Sequence, residues 1–304
     1  MRQKPVPAQA LEGDRFPLLP SSTVTWTEFD VMLYAVGVGA GVADPTAELN
    51  WTTENSAGWA LQVLPTFGIV LSSGGSEVFR ALDALDESVL LLSESIHLRE
   101  PIPLVGKVET TRSVVEVKPH RRGSVFRIES VAQLVGAKSV PLFTTSSELL
   151  ARHDQTSAYD GSKDRSPTKR SDRVMEGPTH EFNFHVPLNQ ALIYRLTAGR
   201  NPLHSDPSAS RIAGFDRPIL HGRCTLGFAA RVLINELVGG DAASVRSLGS
   251  RMCSPVWPGD DLVLQVWHSA NGGSFRVVRR IDQIAVLDRG VYELAEERDQ
   301  FSGA

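Results

Sequence analysis

The chain has 304 residues, 41% of them hydrophobic and 22% charged, with 31 basic against 35 acidic side chains and a net charge of −4. That length can bury one large core or two medium ones. The balance excludes a protein built to neutralise a nucleic-acid backbone, no run of roughly 18 apolar residues predicts a membrane span, and two cysteines make neither a paired zinc site nor a dense disulfide framework.

In chain order, the opening MRQKPVPAQALEGDRFPLLP has no apolar signal core, and the closing Phe301-Ser302-Gly303-Ala304 is not a peroxisomal address. A soluble, cytoplasmic protein without membrane or nucleic-acid partners is the expectation. The apolar segment Leu64 to Leu71 is read as a buried helix of the first half. Pro101 to Gly106 then forms a corner ahead of a strand-like run from Lys107 to Val117, a turn at Lys118 to Gly123 and a second run, Ser124 to Ile128. Residues from about Arg152 to Arg173 are almost free of aliphatic side chains and predict a linker.

The second half repeats the plan. In Gly222 to Leu237, Leu226, Ala229, Ala230, Leu233 and Leu237 recur at helical spacing and predict a helix with one apolar face. A corner at Pro255 to Gly259 precedes the run Leu262 to Trp267, a turn at Asn271 to Gly273 and the run Ser274 to Val278. Two copies of one antiparallel sheet unit is the simplest account.

One segment carries chemistry: Tyr194-Arg195-Leu196-Thr197-Ala198-Gly199-Arg200-Asn201-Pro202-Leu203-His204-Ser205-Asp206-Pro207, continued by Ala213-Gly214-Phe215-Asp216-Arg217-Pro218-Ile219-Leu220-His221-Gly222. His204 has the side chain whose ordinary pKa lies nearest neutrality, suited to orienting water and passing a proton. Asn201 before Pro202 is a turn residue by type, or a holder of His204. Gly222 opens the predicted helix, where free main-chain N–H groups and a positive dipole can meet a developing oxyanion. His221 is read as a packing or hydrogen-bonding residue.

This segment resembles the signature of the MaoC-like, (R)-specific enoyl-CoA hydratases, including the hydratase units of multifunctional fatty-acid oxidation enzymes. Asp30 to Gly41, Leu64 to Gly68 and Pro255 to Gly259 extend the likeness over most of the chain. The resemblance implies an α+β double hotdog, with two antiparallel sheets each wrapped round a long central helix. It divides the chain into an N-terminal unit (20–150) on the acyl-chain side, a linker (151–178) and a C-terminal catalytic unit (179–300).

The resemblance further implies an acyl-CoA thioester as substrate, no cofactor and no metal, in a monomer of two units or a homodimer. It assigns catalysis to His204, Asn201 and the Gly222 N–H, and substrate contacts to Arg200, Pro202, Leu203 and Met252. Arg121 and Arg122, with Lys118, are implied as contacts to the CoA moiety, although on the residues alone a charged hairpin turn is simply solvated.

The family pairs an aspartate with the histidine, two residues before the motif Asn; here that position is Gly199, and no Asp or Glu occurs between Phe182 and His204. Leu91-Leu92 also stands where relatives show His-Gly. Asp206 and Asp216 are not expected to substitute for the missing group. Two functions lead, a hydro-lyase slowed or altered by the loss and a non-hydrating protein that binds acyl-CoA or acyl-carrier thioesters or assists a partner subunit, with a different reaction on a thioester or polyketide-like substrate as the remainder.

Overall fold

Alternation on the strands sets the architecture. In β3 (Gly106–His120) Val108, Thr110, Arg112 and Val114 are buried and the residues between them exposed, so one face packs inward and the other meets solvent. The computed structural model describes residues 19–82, 89–136, 140–152, 177–197 and 199–295. Most of the expected linker, 153–176, lies outside them.

The first half runs β1 (Ser22–Trp26), α1 (Glu28–Gly37), α2 (Leu49–Thr52), α3 (Phe67–Leu71), α4 (Gly75–Ala81), β2 (Val89–Leu98), β3, β4 (Gly123–Leu134) and β5 (Phe143–Arg152). The second runs β6 (His180–His185), α5 (Gln190–Tyr194), α6 (Pro207–Ile212), α7 (Gly222–Leu237), β7 (Val245–Met252), β8 (Asp261–Ser269), β9 (Gly272–Arg279) and β10 (Ala285–Leu294). The strands form one ten-stranded sheet in the order β1-β3-β4-β5-β2-β7-β10-β9-β8-β6. Reading inward from either edge gives the same sequence of strands, first, third, fourth, fifth, second, so the repeat is present in the topology.

Two expectations need correction. The halves do not carry separate sheets: β2 pairs antiparallel with β7, from Ser93↔Arg251 to His97↔Ser247, and joins them into one. Nor does the first half hold a long central helix among the described residues. Its apolar segment forms only the five residues of α3, because Pro65 lacks the N–H a longer helix needs and Gly74 and Gly75 take left-handed φ values of 66° and 58° just beyond it.

The second-half helix spans the predicted residues but is buried more fully than one apolar face requires. Every residue of α7 from Cys224 to Ile234 is buried, Arg231 included. The first half supplies the cover: a Cβ on Gly39 would fall 2.0 Å from the Phe228 ring, and one on Gly227 would fall 2.4 Å from Val38. Arg231 donates to the Val38 carbonyl and pairs with Glu48, which satisfies its charge inside the core. These contacts hold the middle of α7 against the first half.

Candidate active site

The loop ahead of α7 is built from its own sequence. Asn201 Oδ1 accepts from the Leu203 N–H at 2.9 Å and starts a short 3-10 turn, Pro202–His204, in which Pro202 occupies a position that needs no donor. Asp206 caps α6 by accepting from the Ser208 N–H at 2.7 Å, and Ser210 Oγ donates to the Leu203 carbonyl at 2.9 Å. Leu203, Ala213, Phe215 and Ile219 close a small apolar cluster beneath the turn. His204 is thereby held over the start of α7.

Its Nδ1 lies 2.9 Å from the Ile219 carbonyl oxygen. A carbonyl only accepts, so Nδ1 carries the proton and Nε2 keeps a lone pair. Burial pushes the imidazole down to about 4, against the opposing effect of the Ile219 bond, so the ring is neutral near pH 7. The His221 ring stacks on it with centroids 3.6 Å apart and planes 25° apart. Burial first, and then the neighbouring His204, hold His221 well below its ordinary value. The nearby Gly199 main chain opposes this, and neither His221 ring nitrogen makes a hydrogen bond of ordinary geometry among the described residues.

Gly222 is the first residue of α7, and no side chain caps that terminus. Its N–H is one of the orphan donors of a helix start, aimed along the helix dipole. A Cβ at this position would come 3.0 Å from Met252 Cγ, so glycine keeps the amide open to a ligand.

One cavity brings these groups together. His204, Asn201, Leu203, Gly199, Gly222 and Met252 all line it, as does His221. Gly199 takes no strained φ, and a Cβ there would meet nothing within 4 Å. Arg200, Pro202, Arg121 and Arg122 do not line the cavity. Arg200, Pro202 and Arg121 are exposed, and Lys118 is committed to a surface ion pair with Glu116 at 2.8 Å. The motif's two aspartates stay out: Asp206 is the α6 cap, and Asp216 is exposed. Among the described residues no Asp or Glu lines the cavity, and no group of three His, Cys, Asp or Glu side chains is placed to hold a metal.

Sequence reasoning missed three contributors. The Tyr194 hydroxyl is buried beside the cavity without a partner among the described residues, with its ring 4.9 Å from that of His221. Leu91 lines the wall near Gly222. Arg223 also faces the cavity, from within a run that reads as an ordinary apolar helix.

Comparison with known proteins bears on the fold and the chemistry. Residues 165–286 match the family model described as a MaoC like domain, and residues 24–152 match the MFE-2 hydratase 2 N-terminal domain. The 3-hydroxyacyl-thioester dehydratase Y of Mycobacterium tuberculosis is 35% identical over 254 residues, covering 81% of this chain and 83% of that protein. Enoyl-CoA hydratase ChsH3 of the same organism is 31% identical over 280 residues, covering 90% and 94%.

Among solved structures, a MaoC-like dehydratase from Phytophthora capsici superposes with a TM-score of 0.75 at 24% identity, over 93% of this chain and 97% of that one. A Mycobacterium tuberculosis protein described as a double hotdog fold superposes with a TM-score of 0.55 at 18% identity, over 92% and 94%. The fold is thus of the hotdog type.

Proposed function

The chain belongs to the MaoC-like dehydratase and hydratase family, and from that premise we propose that it adds water to a trans-2-enoyl-CoA to give the (R)-3-hydroxyacyl thioester, using one imidazole where the family pattern pairs an aspartate with a histidine. It is an enzyme of the hydro-lyase type, as its relatives are. The single observation that carries the reading is the convergence on one cavity of His204 and Gly222, the first residue of α7.

In this mechanism the thioester oxygen sits on the Gly222 N–H. Water lies against His204 Nε2, whose lone pair is available because Nδ1 donates to Ile219. As the water oxygen bonds to C3, the C2–C3 π electrons move toward the thioester and the oxygen becomes enolate-like, where the helix-terminal amide is worth most. The proton taken by Nε2 is then returned to C2, so the elements of one water are added and the imidazole is regenerated. Hydration is redox-neutral and calls on no cofactor. Asn201 holds the turn that aims His204, and Met252 and Leu203 bound the slot.

Loss of one positioned acid or base ordinarily costs about 100-fold to 10,000-fold in rate. The wild type is therefore a slow hydratase for its size of site. A second reading, a thioester-binding protein without turnover, draws on the absence of Asp and Glu from the cavity wall among the described residues. Assays of trans-2-enoyl-CoA substrates with the wild type and His204→Ala decide between them: hydration lost in the variant supports the mechanism, and no hydration above background by the wild type overturns it. Cytoplasmic location and CoA as the carrier belong to the same proposal. One chain furnishes the whole cavity, so the mechanism is the same in a monomer and in a homodimer.

A further inference from the structure

The cavity wall also holds a charged arrangement that the hydration mechanism does not use. Arg223 Nε donates to Glu94 Oε2 at 2.7 Å, and Ser147 Oγ donates to Glu94 Oε1 at 2.7 Å. The Glu94 side chain is 0% exposed, whereas that of Arg223 keeps 25% and lines the cavity. Both carboxylate oxygens are therefore committed, while Nη1 and Nη2 of Arg223 have no acceptor among the described residues.

The first half adds polar side chains to the lining, set among apolar ones such as Val78, Phe79, Leu91 and Leu149. Arg112, Ser72, Ser130, Thr145 and Ser147 all face the cavity. The Arg112 guanidinium donates to the Ser72 and Pro20 carbonyls and to the Ser22 hydroxyl, with no carboxylate at hydrogen-bonding distance among the described residues. Burial, and next the field of Arg223, hold Arg112 below its ordinary pKa, so the two cations lie close enough to repel. Glu94 and the exposed Glu77, whose field raises Arg112, offset the two guanidinium charges, so the uncommitted Nη donors of Arg223 rather than a net charge mark this region. A plain hydrocarbon chain packed there would bury the free Arg223 donors without acceptors, at a cost in affinity.

We propose that Arg223, held in place by Glu94, binds a carboxylate on the acyl group, so that the preferred substrates are enoyl thioesters whose acyl chain ends in a carboxylate. The paired Nη donors form the fork that matches a carboxylate, and Arg112 adds attraction from across the wall. The inference rests on the cavity being the thioester site.

Titration calorimetry with two saturated, unreactive ligands of equal chain length, adipyl-CoA and hexanoyl-CoA, tests it. The wild type is expected to bind adipyl-CoA at least tenfold more tightly, and the double variant Glu94→Gln/Arg223→Met to show a ratio within twofold of one. Equal or tighter binding of hexanoyl-CoA by the wild type overturns the inference and leaves the thioester site standing, as does a preference that survives in the double variant. If neither ligand binds, the thioester reading falls and this inference falls with it. The wild-type comparison decides the matter even where the double variant does not fold.

Discussion

Gly199→Asp is the sharpest perturbation, because the structure leaves room for the group whose absence sets this chain apart. A Cβ at Gly199 meets no atom of the described residues within 4 Å and no left-handed φ is recorded there, so the first atom of the new side chain finds open space. Replacing glycine also restricts the unfolded chain, which stabilises by about 0.4–1 kcal/mol where the conformation is compatible. In catalysis, a positioned acid or base contributes about 100-fold to 10,000-fold, equivalent to roughly 3–5 kcal/mol of barrier.

Gly199 is exposed, so the new carboxylate gains little rigidity from its surroundings, and the lower end, about 100-fold in kcat/KM, is the expected gain. A carboxylate beside the stacked His204 and His221 rings also raises their pKa values, moving His204 from about 4 toward neutrality. The assay is the loss of enoyl-thioester ultraviolet absorbance on hydration, over a pH series. A wild type already as fast as Gly199→Asp, or a variant slower than the wild type, refutes the single-imidazole account.

His204→Ala should lower kcat by about 100-fold or more with a small change in KM, measured by the same absorbance loss. Because folding depresses the His204 pKa from its ordinary 6.5 to about 4, its contribution to stability is full above about pH 6.5 and is lost as the pH falls through about 4. The kcat of the wild type should be flat above about pH 5 and decline as Nε2 becomes protonated, which a pH–rate profile checks. Glu94→Ala leaves Arg223 partly buried without its carboxylate and should destabilise by about 3–5 kcal/mol in denaturant unfolding. Asp206→Ala should cost about 1 kcal/mol through the lost α6 cap with kcat within twofold, and a loss of kcat beyond tenfold would show that Asp206 serves the reaction instead.

Local signals in the sequence were strong where one element decides the outcome. The spacing of Leu226, Ala229, Ala230, Leu233 and Leu237 predicts α7 to its observed ends, and the turns read at Lys118 to Gly123 and Asn271 to Gly273 fall at the starts of β4 and β9, which begin one and two residues ahead of the runs read from Ser124 and Ser274. The joining of two units into one sheet was not legible, since β2–β7 pairing links residues about 150 positions apart and no local pattern specifies it. The first-half helix failed for a local reason that was visible, Pro65 and the Gly74-Gly75 pair, but was outweighed by apolar content.

In the site, His204, Asn201 and Gly222 stood out through motif chemistry, whereas Arg223 and Glu94 did not. A charged residue next to an apolar helix reads as its solvated edge. The parity of β2 held the missing clue: Glu94 shares the inward face with Ile96 and Leu98, a position where a carboxylate requires a partner.

Strands β2 and β7 are the innermost pair of the sheet, and each also borders the reaction cavity, through Leu91 on one and Met252 on the other. Neither half can therefore loosen by itself without dismantling the slot that a ligand would fill. Heat should melt the molecule in one calorimetric transition, and a bound thioester should shift that transition as a whole.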